Sequence, residues 1–449
     1  MFCPQVGWTD FITRSNQYPE DKESLPEIRF SLDNGLKVYL LPDYQSPLST
    51  AVLAVRAGVV EETPETNGYL HLLEHCLLFR QNHLIRDDCL LRMIKEYGIY
   101  YNAHTEQDLM FFEVCLPKEF LDKALGLLKE VVFNFNITEE GLEKEKKIVL
   151  QELAEIERNP QKVGLAKVYE LVFPESSYGL PVYGQDKVVR DSTLNKLREF
   201  HSKLFFPENS ALVIVGNFDP VMVKEKVQQH FSDLKAGNVS NSKPQSETRL
   251  LSASSQVELA MNISETYLMA GLVGPGYNQP DQIGLDLLVS ILGRGLNPLL
   301  YAAFAGYPDL VSSATIHYSS HARAGLIFLS ATTREDKIAT VRRLLQNFFF
   351  RLSEVNYSPE DYLPGQQLSA IDFLLGGKNQ IRWLSEKSLE DPINLAMALA
   401  KHLLLADESQ TKNYLASINL LKSSDLRKIA RQYFNQGKPV WVVIKPEKR

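Results

Sequence analysis

The residues whose types and spacing could do chemistry are His71-Leu72-Leu73-Glu74-His75. On a helix, positions four apart lie one turn apart on the same face, so His71 and His75 can bring two imidazole nitrogens to one divalent ion. Glu74 stands beside them, a carboxylate able to take a proton from an attacking water. The chemistry implied is metal-assisted hydrolysis, with zinc the ion that suits imidazole and carboxylate ligands. Zinc in that role needs a third protein ligand and an open position for water, so a further ligand must come from another element. Without an ion, the same five residues are two histidines on an amphipathic helix. The flanks Leu70, Leu72, Leu73 and Leu77 favour burial of that helix, and buried imidazoles need polar partners, which a metal supplies.

Those side chains need elements to hold them. Ile28-Arg29-Phe30-Ser31-Leu32 alternates before the turn residues Asp33-Asn34-Gly35, and Leu36-Lys37-Val38-Tyr39-Leu40-Leu41 alternates after them, which predicts a hairpin. Residues 50–55 read as another strand, whereas 68–79, 118–133 and 139–158 read as helices, the last stopping at Asn159-Pro160. Strands mixed with helices throughout imply an α+β (α/β sandwich) class. Near the midpoint, residues 232–255 form the longest polar stretch bearing Gly, Ser and Pro, which predicts a linker. The segment from Leu197-Arg198-Glu199-Phe200 to Ala211-Leu212-Val213-Ile214-Val215 matches the segment from Leu426-Arg427-Lys428-Ile429 to Val440-Trp441-Val442-Val443-Ile444 at a constant offset of 229 residues. The repeat implies two homologous domains, 1–231 and 256–449, the first bearing the pentad.

The pentad is in the inverted zinc-peptidase order, H-x-x-E-H, and resembles the pitrilysin/insulinase family, whose smaller members include two-subunit processing peptidases. That family carries a second helix with two acidic residues seven apart. Here Glu145-Lys146-Lys147-Ile148-Val149-Leu150-Gln151-Glu152 stands at the corresponding place, and seven residues is two helical turns, so Glu145 and Glu152 share a face. The resemblance implies that Glu152 is the third zinc ligand, with one zinc per chain, and that Glu145 is a supporting carboxylate of the catalytic site. Asn102-Ala103-His104-Thr105 is similar to the family's N-A-x-T strand, whose edge pairs with the backbone of an extended peptide substrate, so Asn102 and Ala103 are implied to bind substrate. His104 is expected to face solvent or a partner strand rather than the metal. Phe206-Pro207-Glu208-Asn209-Ser210 before residues 211–216 looks like the family's end of the catalytic domain. The resemblance covers nearly the whole chain. It implies one half of a clamshell, with each domain a mostly antiparallel sheet carrying helices on one face, and a zinc-dependent endopeptidase acting on peptides in a closed chamber.

Two departures stand out. After His75 the chain reads Cys76-Leu77-Leu78-Phe79-Arg80-Gln81-Asn82, without the glycine usual in the family. In the second half, the register of Gly293-Arg294-Gly295-Leu296-Asn297-Pro298-Leu299-Leu300-Tyr301 puts Ala305 and Ser312 where family members carry a substrate-contacting Arg and Tyr. Neither offers a guanidinium fork or a phenol hydroxyl. An intact pentad without that pair resembles the catalytic subunit of a two-subunit enzyme, so the expected partner is a homologous sister chain supplying the pair, or a second copy. The alternative is a noncatalytic structural or substrate-presenting subunit of the same fold.

Composition removes other classes. The 449 residues, 44% hydrophobic and 23% charged, provide for large cores. Forty-eight Lys and Arg against 55 Asp and Glu give a net charge of −7, which argues against a nucleic-acid partner or an anionic membrane surface. Cys3, Cys76, Cys89 and Cys115 lack metal or redox spacing and read as small hydrophobes. Apolar runs at 285–304 and 393–405 are broken by charge, so no membrane span is expected. The N-terminus has no basic segment followed by an apolar one, from which a cytoplasmic location is expected.

Overall fold

The computed structural model describes residues 28–78, 96, 98–237, 255–294, 298–304, 306–354, 370–406 and 414–447. Among the described residues, eleven strands lie in two sheets. The first contains β1 (Ile28–Ser31), β2 (Lys37–Pro42), β3 (Leu48–Val55), β4 (Tyr100–Thr105), β5 (Met110–Pro117) and β6 (Ser210–Gly216), in the order β1-β2-β6-β3-β5-β4. The second contains β7 (Gln256–Met261), β8 (Thr266–Gly274), β9 (Val311–Ser320), β10 (Gly325–Thr333) and β11 (Val440–Pro446), in the order β7-β11-β8-β10-β9. Apart from β1, the two orders are the same. In both, the last strand of the half enters parallel to the first and antiparallel to the second. Helix Leu194–Leu204 before β6 has its counterpart in Ser423–Ile429, which begins 229 residues later and continues into a π-helical turn, Ala430–Asn435, before β11. The mixed, mostly antiparallel two-sheet architecture agrees with the repeat in the sequence.

The predicted hairpin is present, with Ser31 opposite Lys37 and Gly35 at φ +85°, a left-handed turn conformation that glycine adopts without penalty. Three helices in the first half position the site: α1 (Tyr69–Leu78), α2 (Glu139–Ile156) and α3 (Pro160–Val172). Thr138 caps α2, its hydroxyl accepting from the Gly141 amide. Asn159 caps α3 with Pro160 as the first helical residue, which is why the chain breaks between them.

Strand alternation divides the first sheet into two apolar faces. Ala51, Leu53, Val55, Phe112 and Val114 pack with the leucines of α1, whereas Val52, Ala54, Phe111, Val213 and Val215 face the other way. That second face is covered by α4 (Pro392–Leu405), a helix of the second half, through Leu395, Ala396, Leu399 and Ala400. The exchange is mutual. Helix α3 leaves the first half and packs Val168, Tyr169 and Val172 against Met269, Val440 and Val442 of the second sheet. A side chain at Gly164 or Gly271 would collide with Met269 or Val168, so the two glycines let helix and strand approach closely. Each half's own helices lie on one face, as expected, and the other face is filled by a helix lent from across the molecule. Double coverage explains why β6 reads as an uninterrupted apolar run rather than an alternating one.

Of the expected linker 232–255, residues 238–254 lie outside the described residues, as do Cys3, Cys89, Ala305 and the stretch from Phe79 to Asn82. Cys76 and Cys115 are buried. Among the described residues, no helix is long and apolar enough to cross a membrane.

Candidate metal centre

Helix α1 packs against α2, and the contact joins the pentad to the acidic pair. Apolar flanks bury most of the helix: Leu70, Leu72, Leu73 and Leu77 are inaccessible to solvent, His71 and His75 are buried with them, and Glu74 is half-buried. His71 Nε2 lies 3.5 Å and His75 Nε2 3.4 Å from the same oxygen, Oε2 of Glu152. One ligating atom from each of the three residues falls within 4.8 Å of the other two.

The outer partners fit a metal. His71 Nδ1 is 3.1 Å from the Tyr183 carbonyl oxygen, which can only accept, so the proton sits on Nδ1 and the Nε2 lone pair is turned inward. His75 Nδ1 is 3.7 Å from Oε2 of the buried Glu145, beyond hydrogen-bond range but close enough to set a carboxylate on the outer side of the second ring. Two imidazole nitrogens and a carboxylate oxygen thus converge, a donor set of the kind that suits zinc. The electrostatics show the same demand for positive charge. Burial alone would lower the pKa of His75, but Glu145 and Glu152 outweigh it and raise the group to about 9. The two histidines hold Glu152 far below the usual carboxylate range. A cation bound among these groups would take the place of that proton.

Glu74 projects toward strand β4, where its Oε2 accepts from the Thr105 hydroxyl at 2.8 Å. Burial raises its pKa, opposed by His71, Thr105 and His75, which moves a carboxylate toward the range useful for a general base. Strand β4 is the last in its sheet and pairs with β5 on one side, so its other edge is open among the described residues. Ala103 buries its side chain in the α1 core and can offer a peptide only backbone groups, whereas Asn102 is half-buried. His104 turns to the neighbouring strand: its Nδ1 is 2.8 Å from Oε1 of the buried Glu113, and its ring stacks on Phe111. It is not in the converging group.

Two family models match the chain. One, described as insulinase (peptidase family M16), covers residues 37–186, and the other, described as the peptidase M16 inactive domain, covers residues 191–362. The chain belongs to the insulinase family, peptidase family M16. Among relatives, the zinc protease PqqE of Helicobacter pylori is 23% identical, over 93% of this chain and 92% of that protein. Subunit 1 of the mitochondrial cytochrome b-c1 complex of Bos taurus is 24% identical, over 62% of this chain and 58% of its own. In fold, the chain is similar to the crystal structure of a protease from Helicobacter pylori, with a TM-score of 0.84, 21% identity and coverage of 94% of this chain and 99% of that one.

Of the two positions expected to lack the family's substrate-contacting Arg and Tyr, Ser312 lies among the described residues of this insulinase-family chain. Ser312 is exposed on β9, and its hydroxyl is 3.2 Å from Glu265 Oε1. Both residues line an open cavity of about 770 Å³ with Asp309, Arg334 and Asp336. A second cavity, about 600 Å³, opens beside Glu152 and is lined by it with Ile148, Glu155 and Lys162.

Three contributors were not singled out from the sequence. Tyr183 acts through its carbonyl, a group every residue has, so residue type gives no signal. Thr105 belongs to the N-A-x-T strand, and its hydroxyl was the available clue. Gly68, at φ +112°, crosses Gly184, at φ +87°, so closely that backbone meets backbone beside the start of α1.

Proposed function

We propose that the chain is a zinc-dependent endopeptidase that hydrolyses peptides bound in extended form, and that it is the catalytic subunit of a two-subunit enzyme. The observation that carries the reading is the convergence of His71, His75 and Glu152 with Glu74 beside them. His71, His75 and Glu152 would hold one zinc, and Glu145 and the Tyr183 carbonyl would orient the two rings. When bound, the metal supplies a Lewis acid that acidifies water and polarises the scissile carbonyl. Glu74 takes the proton of the attacking water and delivers it to the leaving amine, while Thr105 fixes the carboxylate for both transfers. The open edge of β4 at Asn102 and Ala103 supports strand addition of the substrate, which binds main chain irrespective of sequence.

Ser312 supports the two-subunit reading, because a serine hydroxyl cannot reach as a phenol does. The missing groups would come from a homologous sister chain, or from a second copy. In this reading, residues 1–231 form the catalytic domain and 256–449 its metal-free counterpart, joined by 232–255. A noncatalytic role is the second reading, favoured by the likeness to a cytochrome b-c1 complex subunit. Hydrolysis of an unstructured peptide, followed by mass spectrometry with the chain alone and with an added sister chain bearing the Arg/Tyr pair, tests the assignment. Turnover should rise at least tenfold with the sister chain. Full activity of the chain as a monomer would remove the two-subunit part of the reading.

A further inference from the structure

One buried carboxylate that this chemistry does not use lies at the head of the metal helix. Glu62 is 2% exposed and follows the short helical turn Val59–Glu61. Its Oε1 accepts from the Leu70 amide at 2.8 Å and the Gly68 amide at 3.2 Å; its Oε2 accepts from Asn67 Nδ2 at 2.8 Å and again from Gly68 at 3.1 Å. These backbone donors sit at and just before the first turn of α1, where amides have no partner within the helix and negative charge is favoured. An ordinary cap comes from the residue at the helix boundary; this one comes from a separate turn and ties two elements together.

The same group is joined to the segment that sets the proton on His71. Ser177 Oγ donates to the Glu62 carbonyl at 2.6 Å. Asn67 Nδ2 also donates to the Pro181 carbonyl at 3.0 Å, and the Asn67 carbonyl accepts from the Gln185 amide at 3.1 Å. Between those two anchors lies Tyr183, whose carbonyl holds His71 Nδ1. The helix and its orienting carbonyl are therefore registered against one another through Glu62 and Asn67. Burial pushes the Glu62 carboxyl up to about 7 against the pull of its donors, so the fold retains an acid where an apolar residue would be easier to bury.

We infer that Glu62 is a positioning residue for the metal centre: by seating the first turn of α1 against residues 177–185, it sets His71 Nε2 relative to His75 and Glu152 and thereby the affinity for zinc. The inference rests on the reading that these three residues hold the metal. Glu62→Gln keeps the shape but replaces one acceptor oxygen with an amide that cannot accept from Asn67 or Gly68. The test measures zinc affinity by chelator competition, and the visible absorption of the cobalt(II)-substituted protein at saturating metal, in wild type and Glu62→Gln. Zinc should bind about 10–100-fold more weakly in the variant, the size of effect expected for outer-shell partners, with an altered cobalt spectrum. A cap that only stabilised the helix would leave the spectrum of the saturated site unchanged. Should Glu62→Gln fail to fold, Glu62→Asp, which keeps the charge but not the reach, takes the same two measurements. Native affinity in a folded variant, or weaker binding with the wild-type spectrum, would overturn the inference. Failure of the wild-type chain to bind zinc would instead overturn the metal reading beneath it.

Discussion

Replacing Gly184 with alanine should weaken both the fold and the metal site, through a contact that contains no metal ligand. A Cβ at 184 would lie 2.2 Å from Gly68 Cα, 2.9 Å from Gly68 N and 3.1 Å from the Asn67 carbonyl oxygen. All three are backbone atoms, so no side chain can swing aside, and the crossing must open by about an ångström to restore van der Waals contact. Overpacking of this kind costs about 1–3 kcal/mol, and the left-handed φ of +87° adds about 1–2 kcal/mol for a residue with a Cβ. The sum, about 2–5 kcal/mol, is a large share of an ordinary domain's stability but need not unfold it. Opening the crossing also moves the Tyr183 carbonyl, one residue away, so zinc affinity should fall by about tenfold or more. Gly306→Ala is the control: its φ is +86°, and among the described residues nothing beyond its chain neighbours lies within 4 Å of a Cβ built there, so it carries the backbone cost without the collision. Denaturant unfolding of the metal-free proteins and chelator competition for zinc give both quantities. If Gly184→Ala is no more destabilising than Gly306→Ala, or keeps wild-type zinc affinity, the backbone crossing does not position α1.

Glu145→Ala should weaken zinc binding by about 10–100-fold in chelator competition while leaving the three ligands in place, because it removes the carboxylate beside His75 Nδ1; unchanged affinity would refute the supporting role. His321 gives a pH dependence outside the site. Burial, then Lys401, push its pKa down to about 3, and its Nε2 is 2.9 Å from the Tyr169 hydroxyl across the two halves. Asp108, although 3.9 Å from Nδ1, already accepts from the Tyr178 hydroxyl and the Ala322 amide. The folded state keeps the imidazole neutral, whereas the unfolded chain takes a proton below about pH 6.5. Stability present above that pH should be lost as pH falls toward about 3, by up to about 1.4 kcal/mol per pH unit. Denaturant midpoints of His321→Gln, which cannot charge, should fall less steeply with acid than those of the wild type; parallel profiles would contradict this.

The pentad's helix was legible because an apolar run without proline at a helical period leaves few alternatives, and the structure starts it at Tyr69, within one residue of the expected bound. The acidic helix was equally legible, since Asn159-Pro160 marks its stop, whereas its cap Thr138 was not read as a start. The duplicated architecture was visible in the repeat because the matching helix, turn and strand close each half, and that last strand takes the same place in both sheets. Which sheet each helix covers was not visible. The periodicity of α3 and α4 says that each has an apolar face, but both faces of both sheets are apolar, and only the three-dimensional path of the chain decides that the helices are exchanged. Glu62 was hidden for a different reason. It sits in Glu61-Glu62-Thr63-Pro64-Glu65, where a buried acid and its exposed neighbour Glu65 look alike in sequence.

The most direct test of the account reads metal and turnover on the same samples. Wild type and Glu74→Gln, purified without added metal, would be assayed for zinc by elemental analysis and for cleavage of an unstructured peptide, with the sister chain present. About one zinc per chain is predicted in both proteins, with turnover lower by about 10²–10⁴-fold in the variant, the contribution of a positioned general base. A Glu74→Gln protein that retains zinc and cleaves at the wild-type rate, or a wild-type protein that cleaves while holding no metal, would contradict the account.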